Sequence, residues 1–412
     1  MYQYLITLFF LCIVSTSFAQ SPKKSRNKVD NSKNLIESIM LKNPKAFREI
    51  MKNQKDLNVQ IVFTQIDRNK QGVPKFTSHT YNVNKQNYFY PASTVKMPIA
   101  FLALEKLNEL NIKGLDMNTT MITDSSNSNE TVVYNQPTSK NGKPTIANYI
   151  KQIFLVSDND AFNRLYEFLG QEYIMRKLKE KGYNAIIRHR LQLALNTEEN
   201  KHTNPVYFYD DAGKLIYKQP AQYNKNEIKS LEVKLGKGYY KNGKLVNEPF
   251  DFSLKNQVYL EELHQMLQSV VFYKYWPSNK KFLLSEKDLN FVLNWLKSYP
   301  AESDYPPYDT AHYWDTYCKF LYYGSEKCNV NPNILIYNKV GDAYGFLIDV
   351  AYITNKSKGV EFMLSAAISC NTDGIYNDDK YEYETIGFPF MRDIGKSIYE
   401  YELNRKTKLK SN

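Results

Sequence analysis

The order of the predicted elements constrains the fold of this chain most. Two strand-like runs, over residues 59–66 and 76–83, precede a series of helical patterns. Two further strand-like runs, over 345–354 and 360–369, come near the C-terminus before a last helical pattern over 386–403. Strands from both ends of a chain share one sheet when the helical middle forms a separate part. The order therefore predicts an α+β fold, with an antiparallel sheet flanked by helices and a helical subdomain.

One domain is expected over residues 34–412, with segment 201–332 as an insertion. That segment is rich in Tyr, Lys and Asn, is interrupted by Gly turns, and carries helical patterns near 257–273 and 286–298. We interpret it as an elaboration of the domain. The expected parts are a sheet part over 34–92 and 333–405, a helical part over 93–200, and the inserted segment over 201–332.

Residues 1–19 have the features of a secretory signal peptide. They contain no charged residue, residues 5–14 are almost entirely apolar, and Ser17 and Ala19 place small residues where a signal peptidase reads them. Residues 20–33 then form a polar, basic leader. Because the apolar run is too short for a comfortable membrane span, we expect a periplasmic or secreted protein with no integral membrane span.

The composition narrows the range of partners. Of the 412 residues, 42% are hydrophobic and 24% are charged, which is typical of a globular protein and excludes a mainly disordered chain. The formal net charge of +11 favours acidic partners. However, the Lys and Arg residues are dispersed and no nucleic-acid-binding signature appears, so no nucleic acid partner is expected. A monomer with a solvated basic surface is the simpler interpretation.

Cysteine and histidine spacing predicts no metal site. Without the signal peptide, the chain keeps Cys318, Cys328 and Cys370. The first two are close enough in sequence to pair in an oxidising compartment, and whether they do stays open. The five histidines show no HxH or HExxH spacing. We expect no metal and no organic cofactor.

Ser93 and Lys96 form an S-x-x-K motif at a predicted helix start, after the aromatic run 88–90. Residues three apart on a helix share one face. A buried Lys with a lowered pKa could therefore accept the proton of the Ser hydroxyl. The alternative interpretation is that Ser93 only caps the helix.

Two more short motifs follow along the chain. Ser157-Asp158-Asn159 comes directly after a strong helical pattern, and its hydroxyl and amide could move a proton and hold a carbonyl. The alternative is a polar helix cap. Lys339-Val340-Gly341 opens the late β segment, where a Gly permits close approach of a substrate to the strand edge.

The order S-x-x-K, SDN and then K-x-G resembles the motif set of the penicillin-recognising serine enzymes, which include the class A β-lactamases. The 64 positions between Ser93 and Ser157 are also similar to class A. So is the run 192–196, QLALN, which resembles the E-x-x-L-N of the class A omega loop. The resemblance covers roughly residues 34–200 and 333–405, and it implies a β-lactamase/transpeptidase-like fold.

This resemblance implies a set of catalytic roles. Ser93 would be the acylated nucleophile, and Lys96 would accept its proton. Ser157 would pass a proton to the leaving nitrogen. The backbone N–H groups of Ser93 and Asp342 would form the oxyanion hole.

It also implies substrate contacts. Asn159 would contact the substrate amide and Lys96, Lys339 would attract a substrate carboxylate, and Gly341 would let the substrate approach the strand. Val340 departs from the family pattern, which has Thr there. The lost hydroxyl contact to a charged group is worth roughly 1.5–3 kcal/mol, so binding should be weaker while the chemistry remains.

A second departure concerns deacylation. Gln192 stands where the family has the Glu that activates water, and a neutral amide cannot accept a proton near pH 7. Loss of a general base typically slows a reaction about 10²–10⁴-fold. Asn196 could still hold a water, and a shifted register could offer Glu198 or Glu199 as the base. The alternative is that residues 191–196 are a buried loop with a chance match.

Three functions follow from these observations. The first is a secreted β-lactamase-like serine hydrolase that acts through a Ser93 acyl-enzyme on β-lactams or related amides. The second is a cell-wall D,D-peptidase or esterase on the same fold, acting on peptidoglycan-like substrates, which would account for Gln192. The third is a catalytically weak wall-binding module, and retention of the motif residues argues against it.

Overall fold

The structure is a computed structural model that describes residues 34–126 and 131–411. The expected signal peptide (1–19) and leader (20–33) lie outside the described residues. The longer described helices are α1 (Leu35–Leu41), α2 (Pro44–Lys52), α3 (Lys96–Leu110), α4 (Ile146–Val156), α5 (Asn159–Leu169), α6 (Gln171–Glu180), α7 (Leu260–Val271), α8 (Glu286–Lys297) and α9 (Phe388–Ser411).

A five-stranded antiparallel sheet is built from both ends of the chain, as the sequence predicts. Its strands are β1 (Gln60–Arg68), β2 (Pro74–Tyr81), β3 (Leu335–Ala343), β4 (Phe346–Asn355) and β5 (Val360–Ser369). Their order in space is β3-β4-β5-β1-β2, so the N-terminal pair joins the C-terminal three through β1 and β5. The strand that carries Lys339 is therefore an edge strand. The α+β prediction is confirmed.

Alternating side chains bury both faces of this sheet. Phe63 and its neighbours on one face pack with residues of α1, α2 and α9, such as Phe47 and Ile394. Val62 and Ile66 point to the other face, into a core that includes Met266 of α7. Helices on both faces explain why most residues of β1, β4 and β5 are buried on whichever face they point to.

The N-terminal helical segment is divided into two helices. The chain forms α1 and α2, which meet at Asn43 and Pro44. Proline lacks an N–H donor and pushes the residue before it out of helical geometry, so it begins a new helix here. A second division lies between α5 and α6, where Gly170 has a φ of +76°.

The assignment of 201–332 as an insertion needs a correction. Helix α7 lies within that range, yet it packs on the sheet as part of the main core. His264 of α7 reaches Oγ1 of Thr64 at 2.9 Å and Oγ of Ser365 at 2.8 Å, on two sheet strands. An amphipathic helix must bury its apolar face, and this sheet face offers the complementary surface.

The remaining described elements are short. The strand pieces are Thr120–Thr123, His202–Thr203, Val206–Tyr209, Leu215–Gln219, Gln222–Tyr223, Lys234–Leu235, Gly238–Lys241, Lys244–Val246, Phe250–Asp251 and Ile375–Tyr376. The 3₁₀ turns are Ala92–Val95, Glu199–Lys201, Tyr273–Tyr275, Ser278–Lys280, Pro300–Glu302 and Lys356–Lys358, and a π-helical turn spans Tyr383–Gly387.

Three further observations bear on the sequence-based expectations. Cys318, Cys328 and Cys370 are all free thiols, so the pairing left open above is not formed. Within residues 34–126 and 131–411, no helix has the length and apolarity needed to cross a bilayer. The same residues contain no group of three or more His, Cys, Asp or Glu side chains placed to hold a metal ion.

Candidate active site

Ser93 opens into a cleft of about 570 Å³. It lies in the 3₁₀ turn Ala92–Val95 that leads into α3, and its side chain is partly exposed. One wall of the cleft comes from the end of β3 and the turn after it, and another from the segment 188–197. The structure thus brings Ser93, Asn159, Gln192, Asn196 and Asp342 to one cleft.

The backbone around Ser93 is held in a sharp turn. Ala92 has a φ of +46°, a left-handed conformation that costs a residue with a side chain about 1–3 kcal/mol. The N–H of Thr94 donates to the carbonyl of Pro91 at 3.1 Å, and its hydroxyl donates to the same oxygen at 2.5 Å. The two hydrogen bonds from Thr94 to Pro91 therefore close the turn around Ser93.

Gly341 allows β3 to lie against this turn. A Cβ at position 341 would stand 2.9 Å from the backbone nitrogens of Ser93 and Thr94, and 2.9 Å from the carbonyl oxygen of Pro91. Real Cβ atoms do not approach backbone atoms so closely, so a glycine is needed here. This contact also places the neighbouring residue, Asp342, beside the backbone N–H of Ser93.

Lys96 is fully buried on the first turn of α3, three residues after Ser93. Its ammonium donates to the carbonyl oxygen of Ser157 and, at 3.2 Å, to the Ser157 hydroxyl. Burial holds the pKa of Lys96 well below its usual value, and the nearby charge of Lys339 acts in the same direction. Lys96 therefore loses its proton more easily than an exposed lysine does, which suits it to act as a proton acceptor.

Lys339 is the second buried lysine of the site, with 2% of its surface exposed. Its Nζ atom lies 2.8 Å from the Ser157 hydroxyl oxygen and 2.8 Å from the carbonyl oxygen of Val340. Burial lowers the pKa of Lys339 to about 8. The Ser157 hydroxyl thus lies between two lysines from separate elements.

Ser157 reaches this position because α4 ends there. It is the C-cap of that helix, with a left-handed φ of +58°, and its N–H donates to the carbonyl of Gln152. Asp158 then begins α5, and its side chain accepts a hydrogen bond from the N–H of Ala161 at 2.8 Å. The SDN motif is therefore a junction of two helices, and the cap role is filled by Asp158.

Asn159 and Gln192 are joined across the cleft. Nδ2 of Asn159 donates to Oε1 of Gln192 at 2.6 Å. Gln192 is exposed and has a φ of +55°. At position 192, where the family resemblance implies a glutamate that activates water, the cleft has a neutral amide.

Asn196 lines the cleft, but its side chain forms a hydrogen bond within its own loop. Its Oδ1 accepts from the N–H of Glu199 at 2.9 Å, and a carboxylate oxygen of Glu199 accepts from the N–H of Asn196 at 2.7 Å. Glu198 accepts a hydrogen bond from Tyr223 at 2.7 Å and pairs with Lys201 at 2.9 Å. Neither glutamate is among the described cleft-lining residues, so the shifted-register alternative gains no support.

The segment 188–197 is fixed by contacts that no sequence pattern predicts. Arg190 and Glu167 form a fully buried ion pair at 2.8 Å. The side chain of Asn163 on α5 bonds both the carbonyl and the N–H of Leu191 at 2.9 Å. These contacts join positions more than twenty residues apart, and no local pattern signals them.

His189 and Tyr90 were also missed as cleft residues. Their rings are parallel, with centroids 6.1 Å apart. Burial lowers the pKa of His189 to about 4, so its ring is neutral at pH 7. Nδ1 lies 2.6 Å from the Arg190 carbonyl oxygen, which assigns the ring proton to Nδ1.

Residues 44–222 match the model of a β-lactamase enzyme family, Beta-lactamase2. A β-lactamase from Sphaerobacter thermophilus is 12% identical, with a TM-score of 0.47, over 89% of this chain and 97% of its own. PBP-A is 13% identical, with a TM-score of 0.46, over 86% and 96%. A β-lactamase from Burkholderia phymatum is 13% identical, with a TM-score of 0.46, over 88% and 99%. No curated protein sequence matches this chain.

Proposed function

We propose that this chain, whose residues 44–222 match a β-lactamase family model, is a β-lactamase-like serine hydrolase that forms an acyl-enzyme on Ser93 with amide, ester or lactam substrates. One observation carries the proposal. The Ser157 hydroxyl lies within hydrogen-bonding distance of two buried lysines, and one of them, Lys96, is three residues from Ser93 on a fixed turn that faces a cleft. Burying two lysines costs free energy. Folding alone does not require this arrangement, so it indicates a role in the chemistry of the site.

In the proposed acylation, each proton transfer is assigned to a residue of this site. Neutral Lys96 accepts the proton of Ser93 as the serine oxygen bonds to the substrate carbonyl carbon. The N–H groups of Ser93 and Asp342 stabilise the negative oxygen that forms. The bond from the carbonyl carbon to the leaving atom then breaks, and the proton passes from Lys96 through Ser157 to that atom. Ser93 is left as an ester.

For deacylation, the cleft lacks a general base at position 192. Water must attack the Ser93 ester, and Gln192 cannot take its proton. We therefore propose that adducts with β-lactams persist, and this favours the second candidate, a D,D-peptidase or esterase on the same fold. The Asn159–Gln192 hydrogen bond is the specific observation behind it, since it places an amide rather than a carboxylate at this point of the cleft.

The test is to mix purified protein with a chromogenic cephalosporin and follow product and intact mass together. We expect about one equivalent of rapid product and a lasting mass increase on Ser93. The Ser93→Ala variant should show neither. Many rapid turnovers would contradict slow deacylation, whereas no product and no adduct would contradict the hydrolase proposal and favour a wall-binding module.

We also propose that the protein is exported to the periplasm or beyond and acts as a monomer. The sequence of residues 1–19 supports export, and the dispersed basic charge of the chain is the basis for a monomer. Mass spectrometry of protein secreted by a bacterial host should find a mature chain that starts at Gln20, and light scattering should give the mass of one chain. An intact N-terminus or a dimer mass would contradict these two points.

A further inference from the structure

A second cavity, larger than the active-site cleft, lies at the end of the sheet where β1 begins and β5 ends. It is a groove of about 1500 Å³, lined mainly by parts of residues 46–59, 82–88, 232–237, 369–376 and 385–390. Sites for compact small molecules typically enclose about 300–1,000 Å³. The groove therefore has room for an extended ligand.

Amide side chains are the most frequent polar groups in this groove. Among the described residues that line it, eight are Asn or Gln, and of these Asn53, Gln86 and Asn87 are exposed. An amide has both donors and an acceptor, so it can bond a hydroxyl group in either direction. Asn58 instead fixes the wall, because its Nδ2 donates to the carbonyl oxygen of Tyr88 at 2.8 Å. The groove thus presents hydrogen-bonding groups on a fixed frame.

Asn371 is a polar residue of the groove that the protein itself leaves unsatisfied. Its amide oxygen and nitrogen are both buried, and neither has a partner at hydrogen-bonding geometry among the described residues, although the Tyr376 hydroxyl is close. Its Cβ packs against the β3–β4 turn, 2.7 Å from the place that a Cβ on Gly345 would take. Buried amide atoms nearly always have a partner in a native protein. A polar ligand in the groove would supply the missing one.

The charges of the groove cancel. Its described lining residues include three acidic and three basic side chains: Glu49, Asp56, Glu232, Lys55, Lys234 and Lys237. The whole chain carries a net charge of +11, so a strongly anionic polymer is attracted more to the rest of the surface than to this groove. The groove is therefore suited to an uncharged ligand.

The groove and the active-site cleft lie on two sides of one aromatic cluster. Tyr88 and Phe346 line the groove, with ring centroids 6.4 Å apart, whereas Tyr90 and Tyr344 line the cleft, with centroids 5.1 Å apart. The ring of Phe252 packs against all four, at centroid distances of 5.0–6.3 Å or less than 6.5 Å. A ligand in the groove therefore lies next to the cleft but outside it.

We propose that this groove binds an uncharged, hydroxyl-rich chain, that is, a neutral oligosaccharide. The exposed amides bond the sugar hydroxyl groups, the volume accommodates several rings, and the half-buried Tyr88 ring offers a surface for the apolar face of a sugar. This inference goes beyond the proposed hydrolase function and does not depend on it, because Ser93 lines the other cavity.

Isothermal titration calorimetry of the purified protein tests the proposal. The ligands are chitohexaose and cellohexaose, which are uncharged, and a heparin hexasaccharide, which is anionic. We expect an uncharged hexamer to bind with a Kd of about 1 mM or tighter. This Kd should change by less than about twofold between about 0.05 M and 0.5 M salt, because salt screens charge interactions and not neutral hydrogen bonds.

Variants then locate the site. Gln86→Ala and Asn87→Ala should each weaken binding about three- to tenfold, the usual effect of losing one hydrogen bond. Asn371→Leu should weaken binding similarly while the unfolding temperature stays equal or rises, because the variant removes an amide that is unpaired in the free protein. Asn290→Ala changes an exposed amide on α8 and should bind as the unmodified protein does, and so should Ser93→Ala.

Three results would overturn this inference. The first is no saturable binding of either uncharged hexamer, and the second is tighter binding of the heparin hexasaccharide that is lost in high salt. The third is an affinity that none of the three groove variants changes. A Ser93 adduct with the cephalosporin in the same protein would leave the hydrolase function standing in each case.

Discussion

The hydroxyl oxygen of Ser157 lies 2.8 Å from Nζ of Lys339, although 182 positions separate the two residues in the chain. The same oxygen is 3.2 Å from Nζ of Lys96. A helix end, a helix start and an edge strand thus meet at one hydroxyl group. A proton held by Lys96 therefore has a short path through Ser157 towards a leaving group beside β3.

Ser157→Ala should remove this path. The variant keeps the carbonyl oxygen at position 157 that also bonds Lys96, so the lysine stays anchored. We expect acylation to slow by about 10²–10⁴-fold, the usual effect of losing a proton-transfer group, with little change in thermal stability. Single-turnover mass spectrometry with a cephalosporin measures the rate. An acylation rate within threefold of that of the unmodified protein would contradict the relay.

Gln192→Glu should restore a base at the cleft wall. The new carboxylate can still accept the hydrogen bond from Asn159, because Gln192 already accepts it through Oε1. We expect the Ser93 adduct of a β-lactam to be hydrolysed about 10²-fold faster or more. Gln192→Ala is the matched control, since it removes the amide without adding a base. An adduct equally long-lived in both variants would show that the position does not reach the hydrolytic water.

Gly341→Ala tests the contact between β3 and the Ser93 turn. The added methyl group would stand 2.9 Å from the nitrogens of Ser93 and Thr94, so the strand or the turn must shift. A shift at the oxyanion hole lowers acylation more than binding, and loss of one such donor typically costs 10²–10³-fold in rate. We expect the single-turnover acylation rate to fall by about that factor. Unchanged kinetics would mean that β3 does not rest on this turn.

Much of this fold and site could be predicted from local patterns. Four of the five strands and the helix after Ser93 follow from the spacing of apolar residues, and Lys96 and Lys339 lie on the helix start and the late β segment predicted for them. The position of α7 on the sheet was not predicted, because the apolar pattern of an amphipathic helix does not indicate which surface the helix packs against. The Arg190–Glu167 pair likewise depends on how distant segments pack.

His264 makes the fold sensitive to acid. It is fully buried between Thr64 and Ser365, and burial lowers its pKa from 6.5 to about 3. Below pH 6.5 the unfolded chain takes up a proton at this residue that the folded protein does not. The free energy of unfolding therefore falls as pH falls from 6.5 towards 3. This residue alone should remove about 2–3 kcal/mol between pH 6.5 and pH 4.5.

Urea unfolding of the unmodified protein and of His264→Gln at pH 6.5, 5.5 and 4.5 measures this effect. The glutamine amide can still bond to the two hydroxyl groups but does not titrate, so the variant should lose less stability over this range. His312→Gln replaces an exposed histidine and serves as the control, which should retain the full loss. Equal losses in all three proteins would show that His264 is not buried in its neutral form.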